Sequence, residues 1–179
     1  MKTIQQQLRV VGACAEAREW AAGKTASDIW STCKRGDWML WWSGRLADRA
    51  ADLHRRVVLA ACDCAELALS LFEARYADDR RPRTAIETAR RYARGEATID
   101  DVRVAADAAR AAAAAYAAND AAADAAADAA YAAAYAADAA ANAAYAANAA
   151  NAAGVGAARL RQCADIVRKW IPVMPEIEG

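Results

Sequence analysis

Tryptophan is concentrated at one end of this 179-residue chain. Five of the six tryptophans precede residue 43, and the sequence Arg-Gly-Asp-Trp at 35–38 stands where a helix is predicted to start. Clustered tryptophans form a core or a binding surface, because each indole ring buries a large apolar area. We predict that most are core and that one or two line a surface. Trp38 and Trp42 are expected to share a helix face, with Trp41 pointing elsewhere.

A second cluster combines arginines with tyrosines between residues 75 and 94. Guanidinium groups bind phosphates through paired hydrogen bonds and aromatic rings stack on bases, so this mixture is typical of anion binding. The alternative is a solvated surface whose charge is partly neutralised by neighbouring carboxylates. The candidate binding residues, for a protein or a nucleotide, are Arg35, Asp37, Trp38, Trp41, Trp42, Arg80, Arg81, Arg83, Arg90 and Arg94.

Cysteine and histidine give little support for a metal site or for nucleophilic catalysis. Cys62 and Cys64 are two residues apart, so a helix directs their sulfurs to different sides, unlike the Cys-x-x-Cys spacing of zinc sites. His54, the only histidine, lies too far along the same helix to join them. No glycine-rich phosphate loop and no isolated carboxylate pair is found. We expect a non-enzymatic binding protein with reduced cysteines, no metal, no cofactor and no catalytic residue.

The net charge is zero, with 23 basic and 23 acidic residues. This balance removes any overall electrostatic attraction to long nucleic acids or to an anionic membrane. The N-terminal sequence lacks the unbroken apolar core of a signal peptide, and aspartates interrupt the alanine-rich region too often for a membrane span. We therefore expect a cytoplasmic protein with neither a membrane nor a long nucleic acid as its partner.

Helix signals follow one another along the chain, and almost nothing predicts a strand. Thr25 and Asp28 form a capping box, and Asp37 is predicted to cap the helix after it. Thr98 begins another capping box at the start of the alanine-rich region. The predicted helices cover residues 4–22, 25–36, 38–46, 48–75, 84–94 and 157–171, in addition to those of the alanine-rich region.

The region from 105 to 158 is mostly alanine, the residue with the highest helix propensity and a side chain small enough for close helix packing. Its larger residues recur every three or four positions, which keeps them on one helix face. This stripe is either a solvated ridge or a recognition stripe that contacts a partner through Tyr131, Tyr135 and Tyr145. We favour a break between two helices near 119–120 and a reversal of the chain at 154–156.

These signals predict an all-α fold, a multi-helix bundle of antiparallel helices with long, closely packed alanine-rich helices. The length suits a single domain over 1–179. Within it we distinguish three parts, namely Trp/Arg-rich helices over 1–101, alanine-rich helices over 102–156, and a C-terminal helix and tail over 157–179.

Four segments, on either side of the low-complexity middle, carry a family resemblance: GACAEAREWAAGKTASDIWSTCKRGDWMLWW, VVLAACDCAELAL, RPRTAIETARRYARGEAT and CADIVRKWIP. With these motifs the chain resembles the alanine-rich "putative immunity protein" family of phages and bacteria. The resemblance assigns no role to the residues in its motifs, which are Cys14, Glu16, Trp20, Lys24, Thr25, Cys33, Arg35, Asp37, Trp38, Arg81, Pro82, Glu87, Thr88, Gly95 and Glu96. The alanine-rich region has Asp and Asn where relatives have more tyrosine, which shifts the expected binding surface to the first hundred residues.

The resemblance implies an immunity or phage counter-defence protein that neutralises a toxin or a defence component by binding it in the bacterial cytoplasm. The alternative is a homo-oligomer that sequesters an anionic signalling nucleotide in a pocket lined by arginine and tryptophan. The position of the arginines at 75–94 relative to the tryptophans at 38–42 discriminates between these functions. One shared concave site would favour the nucleotide, and separated convex patches would favour a protein partner.

Overall fold

The described residues of a computed structural model, 3–47, 50–117 and 157–176, form eight helices and no strand. The all-α fold is therefore confirmed. The predicted break near 119–120 and the stripe containing Tyr131, Tyr135 and Tyr145 lie outside the described residues. The helices are α1 (Ile4–Val10), α2 (Ala15–Trp20), α3 (Ala26–Thr32), α4 (Gly36–Ala47), α5 (Ala51–Arg75), α6 (Arg81–Ala93), α7 (Ile99–Ala117) and α8 (Ala157–Trp170).

Helix α5 is the central helix and packs against α4, α6 and α8. A helix with three neighbours must be apolar around much of its circumference. The sequence of α5 meets this demand, since its fully or almost fully buried residues are Val57, Val58, Ala60, Ala61, Cys62, Cys64, Ala65, Ala68, Leu69 and Phe72. Helix α8 packs on α4 as well as on α5, so the two ends of the chain meet in one core.

Small side chains form the contact between α6 and α7, which are joined by a short connection at 94–98. Alanine at such a contact lets two helices approach closely, because no long side chain separates the backbones. The buried alanines are Ala85, Ala89 and Ala93 on α6 and Ala105, Ala106, Ala109, Ala112 and Ala113 on α7. Of the helices that the structure describes, none is both long enough and apolar enough to cross a bilayer.

The prediction of one helix over 4–22 is wrong, because the chain turns between α1 and α2. Gly12 has a φ of +81°, a left-handed conformation that glycine adopts without steric cost. The N–H of Ala13 then bonds to the carbonyl of Leu8 at 2.9 Å, which closes the end of α1. A second helix starts after Cys14, whose side chain makes no capping bond. This turn sets α2 apart from α1 as a separate short helix.

Two predicted helix starts are also corrected. Helix α4 begins at Gly36, so Asp37 lies inside the first turn and does not cap it from outside. Helix α6 begins at Arg81 and not at Thr84, because Pro82 suits the first turn and the Asp79 carboxylate accepts the Arg81 N–H at 3.0 Å.

The capping boxes were predicted correctly. The Asp28 N–H donates to the Thr25 hydroxyl at 3.1 Å, and the Thr25 N–H donates back to the Asp28 carboxylate at 3.2 Å. Thr98 and Asp101 make the same pair of bonds at 2.8 and 3.2 Å before α7. Each box satisfies backbone N–H groups that have no partner within the helix, and so fixes where the helix starts.

The segment after α8 returns to the N-terminal helices and fixes two tryptophans. The indole N–H of Trp30 donates to the carbonyl of Ile171 at 2.7 Å, and that of Trp42 donates to the carbonyl of Pro175 at 2.9 Å. Arg168 of α8 donates to the carbonyls of Trp30 and Cys33 at 3.0 and 2.9 Å. The connection between α3 and α4 is thus held against the C-terminal part of the chain.

Candidate functional site

A cavity of about 380 Å³ lies among the N-terminal helices and reaches Met174 in the C-terminal segment. Its size falls at the lower end of the range of about 300–1,000 Å³ for ligand pockets. Five of the six tryptophans line it, and most of the remaining lining is aliphatic. The lining consists of Leu8, Gly12, Ala13, Cys14, Ala17, Trp20, Ala21, Ile29, Trp30, Cys33, Arg35, Asp37, Trp38, Met39, Trp41, Trp42 and Met174. We call this site the tryptophan cavity.

Helix α4 contributes three of these tryptophans, and all three line the same cavity. Trp38, Trp41 and Trp42 are at positions i, i+3 and i+4, a spacing that groups side chains on one helix face. The expectation that Trp41 points elsewhere is therefore wrong. Trp42 is only 3% exposed, whereas Trp38 and Trp41 are half-buried. Of the five N-terminal tryptophans only Trp30 and Trp42 are buried, so the prediction that most of them are core is wrong.

The indole N–H groups fall into two sets. Those of Trp30, Trp42 and Trp170 each donate to a fixed acceptor within the protein. Those of Trp20, Trp38 and Trp41 donate to none of the described residues, and these three half-buried side chains keep some contact with solvent. Buried indoles ordinarily have a hydrogen-bond partner, so the second set suits a surface that receives an acceptor from outside.

A charged pair forms part of the cavity lining. The Arg35 guanidinium donates to both oxygens of Asp37, Nε to Oδ1 at 2.9 Å and Nη2 to Oδ2 at 2.6 Å, and it also contacts Glu16 at 3.4 Å. Asp37 is 4% exposed, so its charge depends on this pairing. The bond to Asp37 raises the pKa of Arg35 above its ordinary value. The guanidinium thus binds two carboxylates of the same chain.

Cations of the protein also cover two indole faces beside the cavity. The guanidinium of Arg35 lies 4.4 Å from the centre of the Trp38 ring, and the ammonium of Lys24 lies 4.2 Å from the centre of the Trp20 ring. Lys24 also donates to the backbone carbonyl of Trp20. The two rings are 6.0 Å apart and tilted by 58°. Trp20 and Trp38 therefore form a pair of neighbouring rings with a cation against each, Lys24 on Trp20 and Arg35 on Trp38.

The arginines predicted between 80 and 94 do not line the tryptophan cavity. Arg81 bonds to Asp79 at 2.6 Å, Arg83 to Glu73 at 2.5 Å and Arg94 to Glu96 at 3.0 Å. Arg80 is exposed and acts electrostatically on Glu73, whose pKa is lowered mainly by the hydrogen bond from Arg83. Carboxylates of the chain thus neutralise much of this positive cluster, and the structure does not bring it together with the tryptophans.

Arg90 occupies a different position, between three helices. Its guanidinium donates to Asp63 at 2.5 Å and also to Glu66, both on α5. Asp63 additionally accepts the indole N–H of Trp170, from α8, at 2.8 Å. The bonds to Glu66 and Asp63 raise the pKa of Arg90 above its ordinary value. We call Asp63, Glu66, Arg90 and Trp170 the polar node, since together they connect α5, α6 and α8.

Residues 50–172 match the sequence model of a family described as "Imm-5 like putative immunity protein". The chain belongs to this family. No curated protein and no solved structure is detectably similar to it. The family match includes α5 to α8 and the whole polar node, whereas the tryptophan cavity is built from residues before 50 together with Met174. The region shared with the Imm-5 like family and the cavity are therefore separate parts of the chain.

The cysteines of this family member differ in their accessibility. Cys14 is exposed and lines the cavity, whereas Cys33, Cys62, Cys64 and Cys163 are buried. All five are free thiols. Burial raises the pKa of Cys62 to about 12 and also raises that of Cys33, so these thiols remain protonated at neutral pH. Cys14 is the thiol that reports on the cavity.

The candidate binding residues chosen from the sequence omitted Cys14, Glu16, Trp20 and Lys24, which lie at or beside the cavity. All four stand in the first of the segments on which the sequence resemblance was based, and that segment precedes the residues matched by the family model. Gly12 was the available signal, because a glycine inside a predicted helix often marks a turn. A turn there would have separated α2 from α1 and directed attention to Trp20.

Proposed function

We propose that this chain is a non-enzymatic immunity protein, which neutralises a protein toxin or a defence effector by binding it at the tryptophan cavity. The observation that carries this proposal is an apolar recess surrounded by half-buried indoles whose N–H groups have no acceptor within the described part of the chain. Tryptophan and arginine are the residues most enriched among those that dominate binding energy at protein interfaces. A phage counter-defence protein would use the same inhibitory contact.

The charges favour a protein partner over a signalling nucleotide. Holding a phosphate requires guanidinium groups with free edges that converge on one point. Arg35, the one arginine in the described cavity lining, is already bound to Asp37 and Glu16. The arginines of α6 and its flanking loops lie elsewhere, and four of them, Arg81, Arg83, Arg90 and Arg94, have carboxylate partners. An incoming phosphate would have to displace these carboxylates.

The same pairing favours binding over catalysis. A general acid or base needs a titratable group that is free to exchange a proton with a substrate. At the cavity, Arg35 and Asp37 are bonded to each other, and the buried Cys33 thiol is kept protonated by its raised pKa. Cys14 is an exposed thiol of the same lining, but no histidine is among the described lining residues to act as its base. The expected inhibitor therefore acts by occupying a surface of its target.

Titration of a toxin by this chain tests the proposal. Toxins encoded beside the gene are purified, and the activity of each is measured as the concentration of this chain increases. We expect the activity of the cognate toxin to fall linearly and to vanish at a fixed stoichiometric ratio, with a complex on size-exclusion chromatography. Loss of activity at far lower ratios would indicate an enzyme. A nucleotide released by denaturation and seen by mass spectrometry, without toxin neutralisation, would indicate sequestration.

Matched variants locate the contact. Trp41→Ala is expected to weaken inhibition by roughly 30-fold or more, as truncation of a central interface tryptophan commonly does. Arg81→Glu is expected to alter mainly the association rate and its salt dependence, because Arg81 is exposed and away from the cavity. Trp170→Phe is the control, since Trp170 is half-buried but lies in the polar node. Unchanged inhibition in Trp41→Ala would place the contact elsewhere.

A further inference from the structure

The walls of the tryptophan cavity select against a cationic ligand. An aromatic site binds a cation by offering it open ring faces. Here Lys24 already lies 4.2 Å from the centre of the Trp20 ring and Arg35 lies 4.4 Å from that of Trp38. Arg35 lines the cavity, so a ligand cation would compete with it for the Trp38 ring face, and the charges of Arg35 and the nearby Lys24 would repel that cation.

The cavity equally disfavours an anion. Both oxygens of Asp37 are hydrogen-bonded to Arg35, and the carboxylate of Glu16 takes a further edge of the same guanidinium. An incoming carboxylate or phosphate would meet two resident negative charges around one positive charge. Because charges in a partly buried site are poorly screened, this arrangement opposes negative ligands.

A neutral ligand with hydrogen-bond acceptors fits what remains. The aliphatic lining from Leu8, Ile29, Met39 and Met174 offers contact to an apolar group. The indole N–H groups of Trp20, Trp38 and Trp41 have no acceptor among the described residues and are donors only. Peptide carbonyl oxygens are neutral acceptors of suitable strength. The volume of about 380 Å³ suits a fragment of a chain more than a large ligand.

We infer that the tryptophan cavity binds one large apolar side chain of the partner protein, with the peptide carbonyls on either side of it accepting hydrogen bonds from the three free indoles. The idea that this side chain comes from a partner protein rests on the proposed function. The idea that the ligand is neutral and apolar, with hydrogen-bond acceptors on either side, does not depend on it. The pairing of Arg35 with Asp37 sets this selectivity, since these two are the charged residues of the described cavity lining and neither has an unpaired charge for a ligand to neutralise.

Three small probes that share one ring separate the alternatives. They are N-acetyl-phenylalaninamide, which is neutral, N-acetyl-phenylalanine, which is an anion, and phenylalaninamide, which is a cation. Each is titrated into the ¹⁵N-labelled full chain while the indole N–H resonances are followed. We expect the neutral probe to bind with a Kd on the order of 1 mM, as fragments of this size do, and each charged probe to bind at least about tenfold more weakly.

The resonances report where the probe binds. Those of Trp20, Trp38 and Trp41 are expected to shift with the neutral probe, while that of Trp170 stays unchanged because its N–H is bound to Asp63. Tryptophan-to-phenylalanine variants assign the resonances. Equal or tighter binding of either charged probe would overturn the inference. The absence of any shift at about ten times the expected Kd would overturn it as well.

Two variants test the role of the walls. Trp41→Phe keeps a ring but removes one N–H donor, so binding of the neutral probe should weaken by about fivefold to tenfold, the effect of one hydrogen bond. Lys24→Gln removes the cation over Trp20, so the affinity for the cationic probe should rise relative to that for the neutral probe. Trp170→Phe is the control for the first variant. If the ratio of the affinities for the neutral and cationic probes is unchanged in Lys24→Gln, the selectivity argument is contradicted.

The probe experiment tests the chemistry of the cavity and the toxin titration tests neutralisation, so either proposal can be refuted without the other. Probe binding as expected, combined with toxin inhibition that Trp41→Ala leaves intact, would support the cavity chemistry and refute the cavity as the toxin contact. Toxin inhibition without probe binding would support neutralisation and refute the chemistry assigned to the cavity. Circular dichroism of every variant checks that the helical fold is retained.

Discussion

The helices α5 to α8 and the helices α1 to α4 use their charged and aromatic side chains differently. In the polar node of α5, α6 and α8, the donors of Arg90 and Trp170 are bound to carboxylates of α5. Around the tryptophan cavity, Trp20, Trp38 and Trp41 have no acceptor among the described residues. The same residue types therefore hold helices together in one region and remain available in the other. Abundance of arginine or tryptophan alone does not identify a binding site.

The difference has a structural cause. Arg83 and Arg90 face carboxylates on the neighbouring α5, which is long and packs directly against α6. The N-terminal tryptophans belong instead to short helices, which cannot direct every indole into the core. Because the family match begins at residue 50, it covers the internally bonded scaffold and leaves out the cavity.

The largest expected effect tests the structural role of the polar node. Arg90→Glu would place a third carboxylate beside Asp63 and Glu66, and Arg90 is only 23% exposed. Breaking such a partly buried network should lower the free energy of unfolding by about 3–5 kcal/mol. Urea unfolding followed by circular dichroism measures the loss. Arg94→Glu is the control, because Arg94 is exposed and pairs only with the exposed Glu96. Equal losses in both variants would contradict the distinction between node and surface.

The second prediction concerns the contact between the two regions, where α4 meets α8. A Cβ atom added at Gly36 would lie 2.4 Å from Cβ of Cys163 and 2.6 Å from the backbone nitrogen of Ala164. Backbone cannot move aside easily, so Gly36→Ala should destabilise the protein by about 1–3 kcal/mol or more through overpacking. Thermal unfolding provides the measurement.

Gly12→Ala is the matched control for that substitution. An added Cβ at Gly12 meets nothing within 4 Å, although its φ of +81° is strained for alanine. We expect a loss of about 1 kcal/mol from backbone strain alone. A larger loss at Gly12 than at Gly36 would mean that α4 and α8 are less closely packed than the structure indicates.

A smaller effect is expected at the pair of Glu73 and Arg83, whose side chains are 27% and 33% exposed. The hydrogen bond from Arg83 lowers the pKa of Glu73 from its ordinary 4.5. The carboxylate is thus favoured in the folded state, so its stabilisation is complete above about pH 4.5 and disappears as the pH falls through the lowered pKa. Glu73→Gln should cost about 0.5–1 kcal/mol at pH 7 and less at pH 3.

Unfolding curves at both pH values test this prediction. The control is Glu87→Gln, a change of the same charge at an exposed position on α6. It should leave the pH dependence of the wild-type protein intact. A Glu73→Gln variant that also keeps the wild-type pH dependence would show that the pair makes no contribution to folding.

The sequence predicted the helical framework well where its signals are local. The apolar run of α5, the capping boxes of Thr25 and Thr98, and the extent of α8 each depend on residues near in sequence, and the structure contains them. The errors in the helices fall at 4–22, at Asp37 and at the start of α6. At the first two the outcome depends on the turn at Gly12 and on a charge partner, Arg35, which competes with the capping role of Asp37.

The cavity was less predictable, because it depends on contacts between distant parts of the chain. Trp30 and Trp42 are fixed by carbonyls of Ile171 and Pro175, more than a hundred residues away. No local pattern reveals which indole N–H groups will find such acceptors. The spacing of Trp38 and Trp41 did contain information, since positions i and i+3 share a face. The pairing of arginines with α5 carboxylates also required knowledge of which helices are neighbours.

The smallest effect on stability, and a direct view of the cavity, should come from modifying Cys14. Cys14 is the exposed thiol, whereas the other four cysteines are buried and the pKa of Cys62 is raised to about 12. Iodoacetamide reacts with accessible thiolates, so the folded protein should gain one adduct and the denatured protein five. Mass spectrometry counts the adducts, and Cys14→Ser should gain none while folded. A second adduct in the folded wild type would show that a buried cysteine is accessible.

The adduct connects accessibility to function. Because Cys14 is exposed, alkylation should change the free energy of unfolding by no more than about 0.5 kcal/mol. Because Cys14 lines the tryptophan cavity, a bulky maleimide adduct should nevertheless reduce binding of N-acetyl-phenylalaninamide and inhibition of the cognate toxin. Saturation with the neutral probe should in turn slow alkylation in proportion to the occupied fraction of cavities. If the modified protein binds and inhibits like the unmodified one, the functional surface lies outside the cavity, and the candidates are then α5 to α8 and the stripe of Tyr131, Tyr135 and Tyr145.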